Sequence, residues 1–404
     1  MKNITRTKCL CCESKKLVEI IDLGNHSFAD RFIPKSKQKI KDPKYPLVID
    51  MCKKCKFIQS RIVTSPKNRY FELDYSYTSS NSNYAKSHWK SFVKFLSKKI
   101  DLKDKKIFEI GSNDGFLISI LKDKGADVLG IDASKFMVRL SNKKKINTIH
   151  SIFSFKESSK IKKIHGKADI IIANNVFNHS NEPNNFLKGV GNLLNKNGVF
   201  IFEQPNFTIG AASLKFDQIY HEHVSYFTAK NIKSILSKNN FCINHMNKND
   251  YHGGSLRTIA FKKNHNLKKF NLKILINDEI KKNIYKIRFY KSMMKKIDLK
   301  KKKLLTKITN LKKKNYTIVG VGAGAKANTF LTYYQLNNKI IDFLTDSSKF
   351  KQNKITPITR IMIKDDNEIS KYKKIVCIIL SWNISNLIIQ KIKKLNKKAK
   401  IIYT

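Results

Sequence analysis

Between Lys106 and Asp132 the chain runs as a strand, a glycine-rich turn, a helix and a second strand that ends on an acid. Lys106-Ile107-Phe108-Glu109-Ile110 reads as a buried strand, and Gly111-Ser112-Asn113-Asp114-Gly115 turns the chain. Phe116 to Lys124 reads as a helix closed by Gly125, and Val128-Leu129-Gly130-Ile131-Asp132 is the second strand. A βαβ unit of this kind commits the chain around it to a parallel sheet covered by helices. Glycines at the first turn let backbone approach a ligand closely, and an acid after the second strand accepts hydrogen bonds from ribose hydroxyls. The spacing is Glu-x-Gly-x-Asn-x-Gly. Asn113 stands where a dinucleotide fingerprint wants glycine, so no pyrophosphate is implied.

The alternation of strand and helix continues. Ala168 to Ala173 is a strand ending at Asn174-Asn175-Val176-Phe177-Asn178-His179, and Gly198 to Glu203 is another ending at Gln204-Pro205-Asn206. Ligands of open α/β sheets bind at the carboxyl ends of strands, so both turns lie where chemistry is expected. The pattern restarts near residue 315. Tyr316 to Gly324 reads as a strand and a second glycine-rich loop, followed by a helix from about Ala325. By itself that loop suggests a second nucleotide site, with tight βα packing as the alternative. The lysine-rich stretch between, residues 266–314, places Ile280, Ile284, Ile287, Met294, Ile297, Leu304 and Ile308 at mostly three-, four- and seven-residue spacing. That spacing predicts an amphipathic helical connector with a solvated lysine face. The expected blocks are residues 1–70, 71–262, 263–314 and 315–404.

Cysteine usage defines the first block. Cys9 with Cys12, and Cys52 with Cys55, form two CxxC pairs, and four thiolates suit tetrahedral Zn²⁺. Cys11 falls out of register. No histidine or open position accompanies the set, so the site reads as structural. Cys242 and Cys377 sit in apolar contexts and read as core.

The formal charge of +51 resembles a nucleic-acid footprint. The lysines are spread along the whole chain with abundant Ile and Asn, Arg is scarce, and no aromatic-basic stripe stands out. A coding bias produces the same composition, so no specific nucleic-acid partner is expected. A negatively charged small substrate suits such a protein. No apolar run approaches the roughly 20 residues that span a bilayer. The N-terminus lacks an apolar signal region. A cytoplasmic, monomeric enzyme with a small-molecule substrate and no membrane partner is the expectation.

One tetrapeptide, Tyr220-His221-Glu222-His223, concentrates side chains used for proton abstraction near neutral pH. If extended, it would pair Tyr220 with Glu222 on one face and His221 with His223 on the other. A metal site and a satisfied structural cluster are the alternatives to acid–base work.

Several ordered segments then resemble one family. Glu109, Gly111, Asn113 and Gly115 with Asp132 resemble the S-adenosylmethionine loop of class I methyltransferases. The cysteine pairs, the segment from Asp74 to Ser82, Asn175 to His179, Tyr220 to His223, His252 to Arg257, Gly322 to Thr329 and Trp382-Asn383 resemble sugar C-methyltransferases acting on nucleotide-linked deoxysugars. The resemblance covers nearly the whole chain. It implies a class I, Rossmann-like methyltransferase sheet flanked by a small zinc-binding module and a C-terminal Rossmann-like α/β domain. It implies S-adenosylmethionine and Zn²⁺ as cofactors and a nucleotide-sugar as substrate, methylated at a carbon beside its ketone.

The resemblance also assigns roles. His223 is the expected base, with Tyr220, Glu222, His179 and Tyr77 around the reacting sugar. Glu109, Gly111, Asn113, Gly115, Asp132 and Asn175 would hold the methyl donor. Tyr75, Lys326, Asn328 and Asp346 would hold the substrate, and Cys9, Cys12, Cys52 and Cys55 the metal. The chain departs from the family after Asp346, where Lys351-Gln352-Asn353-Lys354-Ile355-Thr356-Pro357 lacks the usual glycines. That leaves open which nucleotide and sugar are taken. O- or N-methylation of a related molecule is the rival within enzymes. A zinc-containing nucleic-acid-binding protein without catalysis is the rival from another class.

Overall fold

The computed structural model describes residues 4–70, 78–80, 82–263 and 270–404. The expected site residues Tyr75 and Tyr77 lie outside them.

The central element is a seven-stranded sheet. Its strands are β7 (Lys106–Ile110), β8 (Asp127–Asp132), β9 (Thr148–His150), β10 (Ala168–Ile172), β11 (Leu194–Pro205), β13 (Phe241–Asn249) and β14 (Ser255–Lys262). They lie in the order β13-β14-β11-β10-β7-β8-β9. β7, β8, β9, β10 and β11 pair in parallel, and β14 runs antiparallel to both of its neighbours. The chain starts at the centre in β7, winds out to β9, then crosses back to β10. The order therefore reverses between β7 and β10, which opens a crevice at the carboxyl ends of those strands. The sequence explains the placement. Ile170-Ile171-Ile172 of β10 is buried throughout, as a strand covered by helices on both faces must be. This is the class I Rossmann-like arrangement that the sequence predicts.

The N-terminal module is an antiparallel sheet of β2 (Leu17–His26), β4 (Tyr45–Cys52) and β5 (Ile58–Ser60). Its fourth strand, β12 (Ser225–Tyr226), comes from far along the chain and pairs with β5. β12 starts two residues after His223, so the tetrapeptide is anchored where module and central sheet meet. A short pair, β1 (Ile4–Thr5) with β6 (Ile62–Val63), closes the module's start.

The C-terminal sheet is wholly parallel: β15 (Thr317–Val321), β16 (Phe343–Thr345), β18 (Ile363–Lys364), β19 (Ile375–Ile379) and β20 (Lys400–Tyr403), in the order β18-β16-β15-β19-β20. It is tied to the N-terminal module by β3 (Ile33–Pro34) pairing with β17 (Lys354–Ile355). One apolar cluster joins Leu47 and Ile49 of the module, Ile297, Leu304 and Ile308 of the connector, and Ile318 and Leu344 of the C-terminal sheet.

The connector differs from the single amphipathic pattern expected of it. Among the described residues it forms two helices, Lys273–Lys281 and Ile287–Lys313, broken between them. Ile280 is 53% exposed, while Glu279 beside it is buried. Glu279 accepts from the backbone N–H groups of Ala229 and Lys230 at the start of helix Ala229–Lys238, and from the Tyr285 hydroxyl. An acid at a helix N-terminus satisfies orphan donors and the helix dipole, and here that outweighs burial of Ile280. No helix among the described residues is long and apolar enough to cross a membrane.

Candidate active site

The two CxxC pairs form matched turns. Glu13 N–H donates to the Cys9 carbonyl and Lys56 N–H to the Cys52 carbonyl, each at 2.9 Å, with Glu13 and Lys56 at φ 63° and 65°. The four Sγ atoms of Cys9, Cys12, Cys52 and Cys55 lie within 4.8 Å of one another. Cys9 to Cys55 is 3.5 Å and Cys12 to Cys52 is 3.7 Å. Zn–S bonds of about 2.3 Å in a tetrahedron put sulfurs about 3.8 Å apart, so the donor set fits zinc. Cys11 is buried and stands outside the tetrad. Gln59 braces the first knuckle, accepting from Leu10 N–H and donating to the Lys8 carbonyl.

A cleft of about 980 Å³ runs from the carboxyl edge of the central sheet to the C-terminal domain. Its first wall is the β7 loop. Glu109, Gly111, Asn113, Asp132 and Asn175 all line it. Asp132 caps β8 with one oxygen on Asn113 N–H and the other on Ser134 N–H, each at 2.8 Å. Each carboxylate oxygen keeps a second lone pair, which suits ribose hydroxyls. Oε2 of Glu109 and both amide atoms of Asn174 are buried without a hydrogen-bond partner among the described residues. Polar groups left so at a cleft wall fit a polar ligand. Burial, then Asp114 and Asp132, hold the Glu109 carboxyl well above its usual range.

Of the two turn glycines only Gly111 lines the cleft, and the fold itself requires both. Gly111 lies at φ +73°, and a Cβ there would sit 2.9 Å from Cβ of Val176. Gly115, at φ +75°, lies outside the cleft lining, and a Cβ would meet the Ser141 hydroxyl at 2.3 Å. Both permit left-handed backbone and close packing of the protein on itself. Gly115 makes no approach to the cleft.

The second glycine loop repeats the first in outline. Asp346, after β16, accepts from Ala323 N–H at 2.8 Å and Ser348 N–H at 2.9 Å, as Asp132 does from Asn113 and Ser134. Lys326, in the first turn of helix Ala325–Tyr334, lines the same cleft, as does Lys351. Burial lowers the pKa of Lys326, opposed by Asp217 and Asp30. Asn328 does not reach the cleft. Its amide donates to the Ala29 carbonyl and holds the N-terminal module to this domain.

The tetrapeptide is a turn and not a strand. His223 N–H donates to the Tyr220 carbonyl at 2.9 Å. The turn brings Tyr220 and His223 together, ring centroids 3.9 Å apart, and both line the cleft. Glu222 points away from the cleft and accepts from Ala29 and Asp30 N–H at 3.0 and 3.3 Å. Burial, reinforced by Asp30, pushes its pKa up to about 7. His221 faces the module, 3.1 Å from the Tyr45 carbonyl and edge-on to Phe28 and Tyr45. Its Nε2 must carry the proton, because a carbonyl only accepts. Neither Glu222 nor His221 lines the cleft. The alternating faces of an extended tetrapeptide therefore do not form.

His223 has a defined tautomer. Its Nδ1 lies 2.9 Å from the Gln218 carbonyl, so Nδ1 carries the proton and Nε2 keeps its lone pair. Burial first, then His179 and Lys326, hold its pKa well below the usual imidazole value. The ring is neutral at pH 7. His179 stands 5.1 Å away, centroid to centroid, and burial lowers its pKa to about 3.

The motifs did not mark Tyr70, Asp30 or His252 individually, yet all three line the cleft. His252 at φ 54° precedes Gly253, whose missing Cβ makes room for the Trp382 ring, 2.1 Å from where it would sit. The His-Gly-Gly run was the visible sign of that close approach. Asp30 arrives from the N-terminal module, and nothing local in the sequence ties it to the site. The turn after β11 carries structural duties: Glu203 is fully buried between His88 (2.7 Å) and Arg257 (2.8 Å), and Asn206 caps a helix.

Comparisons with known proteins agree along the length of the chain. Residues 9–70 match the family described as "Putative zinc binding domain", residues 82–245 the "Methyltransferase domain", and residues 250–404 the "C-methyltransferase C-terminal domain". The C-methyltransferase NovU of Streptomyces niveus is 24% identical over 394 residues, covering 96% of this chain and 93% of that protein. A ubiquinone biosynthesis O-methyltransferase of Pelagibacter ubique is 32% identical over 130 residues, covering 31% of this chain and 52% of that protein. Among solved structures, the PH0226 protein of Pyrococcus horikoshii is 19% identical with a TM-score of 0.40, covering 49% of this chain and all of that one.

Proposed function

The chain belongs to the S-adenosylmethionine-dependent C-methyltransferases with an N-terminal zinc-binding domain, and from that premise we propose that it methylates the carbon beside the ketone of a nucleotide-linked keto-deoxysugar, with His223 as base. One observation carries the reading. His223 presents an unprotonated Nε2 in the cleft that joins the donor loop to the second glycine-rich domain.

A carbon is a poor nucleophile until a proton leaves it, and an adjacent ketone makes that possible by taking the charge as an enolate. When bound, S-adenosylmethionine supplies an electrophilic methyl group to such a carbon. The chain's own residues do the rest. His223 Nε2 accepts the proton, and its Nδ1–H stays fixed on the Gln218 carbonyl, which stabilises the imidazolium that forms. Tyr220 keeps its phenol proton, since burial raises its pKa well above the usual value, and donates to the developing oxygen charge. Asp132 and Asn175 hold the donor's polar groups, and Ile152 and Phe153 offer an apolar wall for a purine. Asp346, Lys326 and Lys351 hold the nucleotide end of the sugar substrate. Zinc held by Cys9, Cys12, Cys52 and Cys55, none of which lines the cleft, would keep the module in shape.

The test is product structure. Incubation with S-adenosylmethionine and a nucleotide-linked 4-keto-deoxysugar should yield a methyl group bonded to carbon by NMR. A methyl on oxygen or nitrogen would overturn the reading.

A further inference from the structure

Tyr70 is the last residue of helix Pro66–Tyr70 and lines the cleft. Its hydroxyl lies 3.0 Å from Nδ1 of His179, with the two rings only 6° from parallel. Arg69, beside it, donates to the carbonyls of His179 and Glu222 at 3.3 and 3.4 Å. One short helix thus braces the two segments that carry His179 and His223.

The Tyr70–His179 bond has a direction. A phenol is a far better donor than acceptor, and an imidazole nitrogen lone pair accepts better than a phenol oxygen. Tyr70 therefore donates to Nδ1, and the one proton of the neutral His179 ring sits on Nε2. At His223 the order is reversed: Nδ1 is protonated against Gln218 and Nε2 is bare. Two neutral imidazoles 5.1 Å apart hold opposite tautomers.

We propose that Tyr70 is a positioning residue that fixes His179 as its Nε2–H tautomer, so that His223 takes the proton from carbon while His179 donates a hydrogen bond to the ketone oxygen. The inference rests on the enolisation reading above. In the step, the C–H bond breaks and its proton goes to Nε2 of His223. The electron pair becomes the enolate double bond, and the ketone oxygen takes the charge and the hydrogen bond from His179. A neutral imidazole suits this task because it donates to an oxyanion without offering it a full proton.

The experiment follows solvent-deuterium exchange at the carbon beside the ketone, with ¹⁵N NMR of the histidines, in the wild type and four variants. Tyr70→Phe keeps the ring and removes the donor. It should lower the exchange rate about 10- to 100-fold, somewhat less than outright loss of an oxyanion donor. Its affinity for the methyl donor should be unchanged and its His179 signal should move from Nε2–H toward a tautomer mixture. His179→Gln keeps a donor without a tautomer, so adding Tyr70→Phe to it should cost less than about threefold, as expected when two residues act through one another. Bound zinc and melting temperature report folding throughout. Exchange at the wild-type rate in Tyr70→Phe, or a wild-type His179 protonated on Nδ1, would overturn the assignment. His223→Gln separates the two levels. If it exchanges normally, the reading of His223 as the base fails; if it is inactive while Tyr70→Phe is unaffected, only the role of Tyr70 fails.

Discussion

His223 is a poor base by its surroundings, because burial first, and Lys326 among its neighbours, disfavour its protonated form. A weak base can deprotonate carbon only if the enolate is stabilised at the same time, so the donors around the ketone must carry much of the barrier. This separates residues that face the cleft from those that hold them there. Glu222 belongs to the second group. Glu222→Gln keeps an acceptor for Ala29 and Asp30 N–H and should leave kcat within about threefold. Glu222→Ala orphans two buried donors and should lower stability by about 1–3 kcal/mol, read by denaturant unfolding. A large kcat loss in Glu222→Gln at unchanged stability would move this residue back into the chemistry.

The strand β12 makes the zinc module part of the active site, since it pairs with β5 immediately after His223. Zinc removal by a chelator, or Cys52→Ser, should therefore abolish methyl transfer and remove the pairing of β5 with β12, seen as faster amide exchange at Ser225 and Tyr226. The first βαβ unit was legible because its strands are mostly apolar and glycines stand at its turns, where Gly111, Gly115 and Gly125 adopt positive φ. The zinc tetrad was legible because CxxC spacing fixes a turn. The tetrapeptide's geometry was not, because four polar residues carry no periodicity and a neighbouring strand pairing decides their fold. The break in the connector was missed for a similar reason: Glu279 is buried to cap another helix, a tertiary demand with no local sign. Tyr70 and Asp30 reach the cleft through packing between distant segments, which no spacing in one sequence reveals.

The whole molecule places one cleft among three units joined by β3–β17, β5–β12 and a shared apolar cluster. It also buries histidines with lowered pKa: His26 and His221 to about 4, and His179 to about 3, each by desolvation first. Their folded-state values lie below the unfolded 6.5, so the unfolded chain binds more protons as pH falls. Their contribution is intact above about pH 6.5 and is lost progressively toward pH 3. Glu222 acts in the opposite sense: its contribution is present below about pH 4.5 and is lost as pH rises through about 7. Melting temperature should thus fall on the acid side, with a shallower acid limb in His179→Gln, and Glu222→Gln should flatten the limb between pH 5 and about 7. The most direct measurement is solvent-deuterium incorporation beside the ketone of a nucleotide-linked 4-keto-deoxysugar, without methyl donor, in the intact enzyme and in His223→Gln. Deuterium should enter with the intact enzyme and not with His223→Gln. Equal incorporation in both, or none in the intact enzyme while it still forms a carbon-bound methyl, would contradict a His223-driven enolisation.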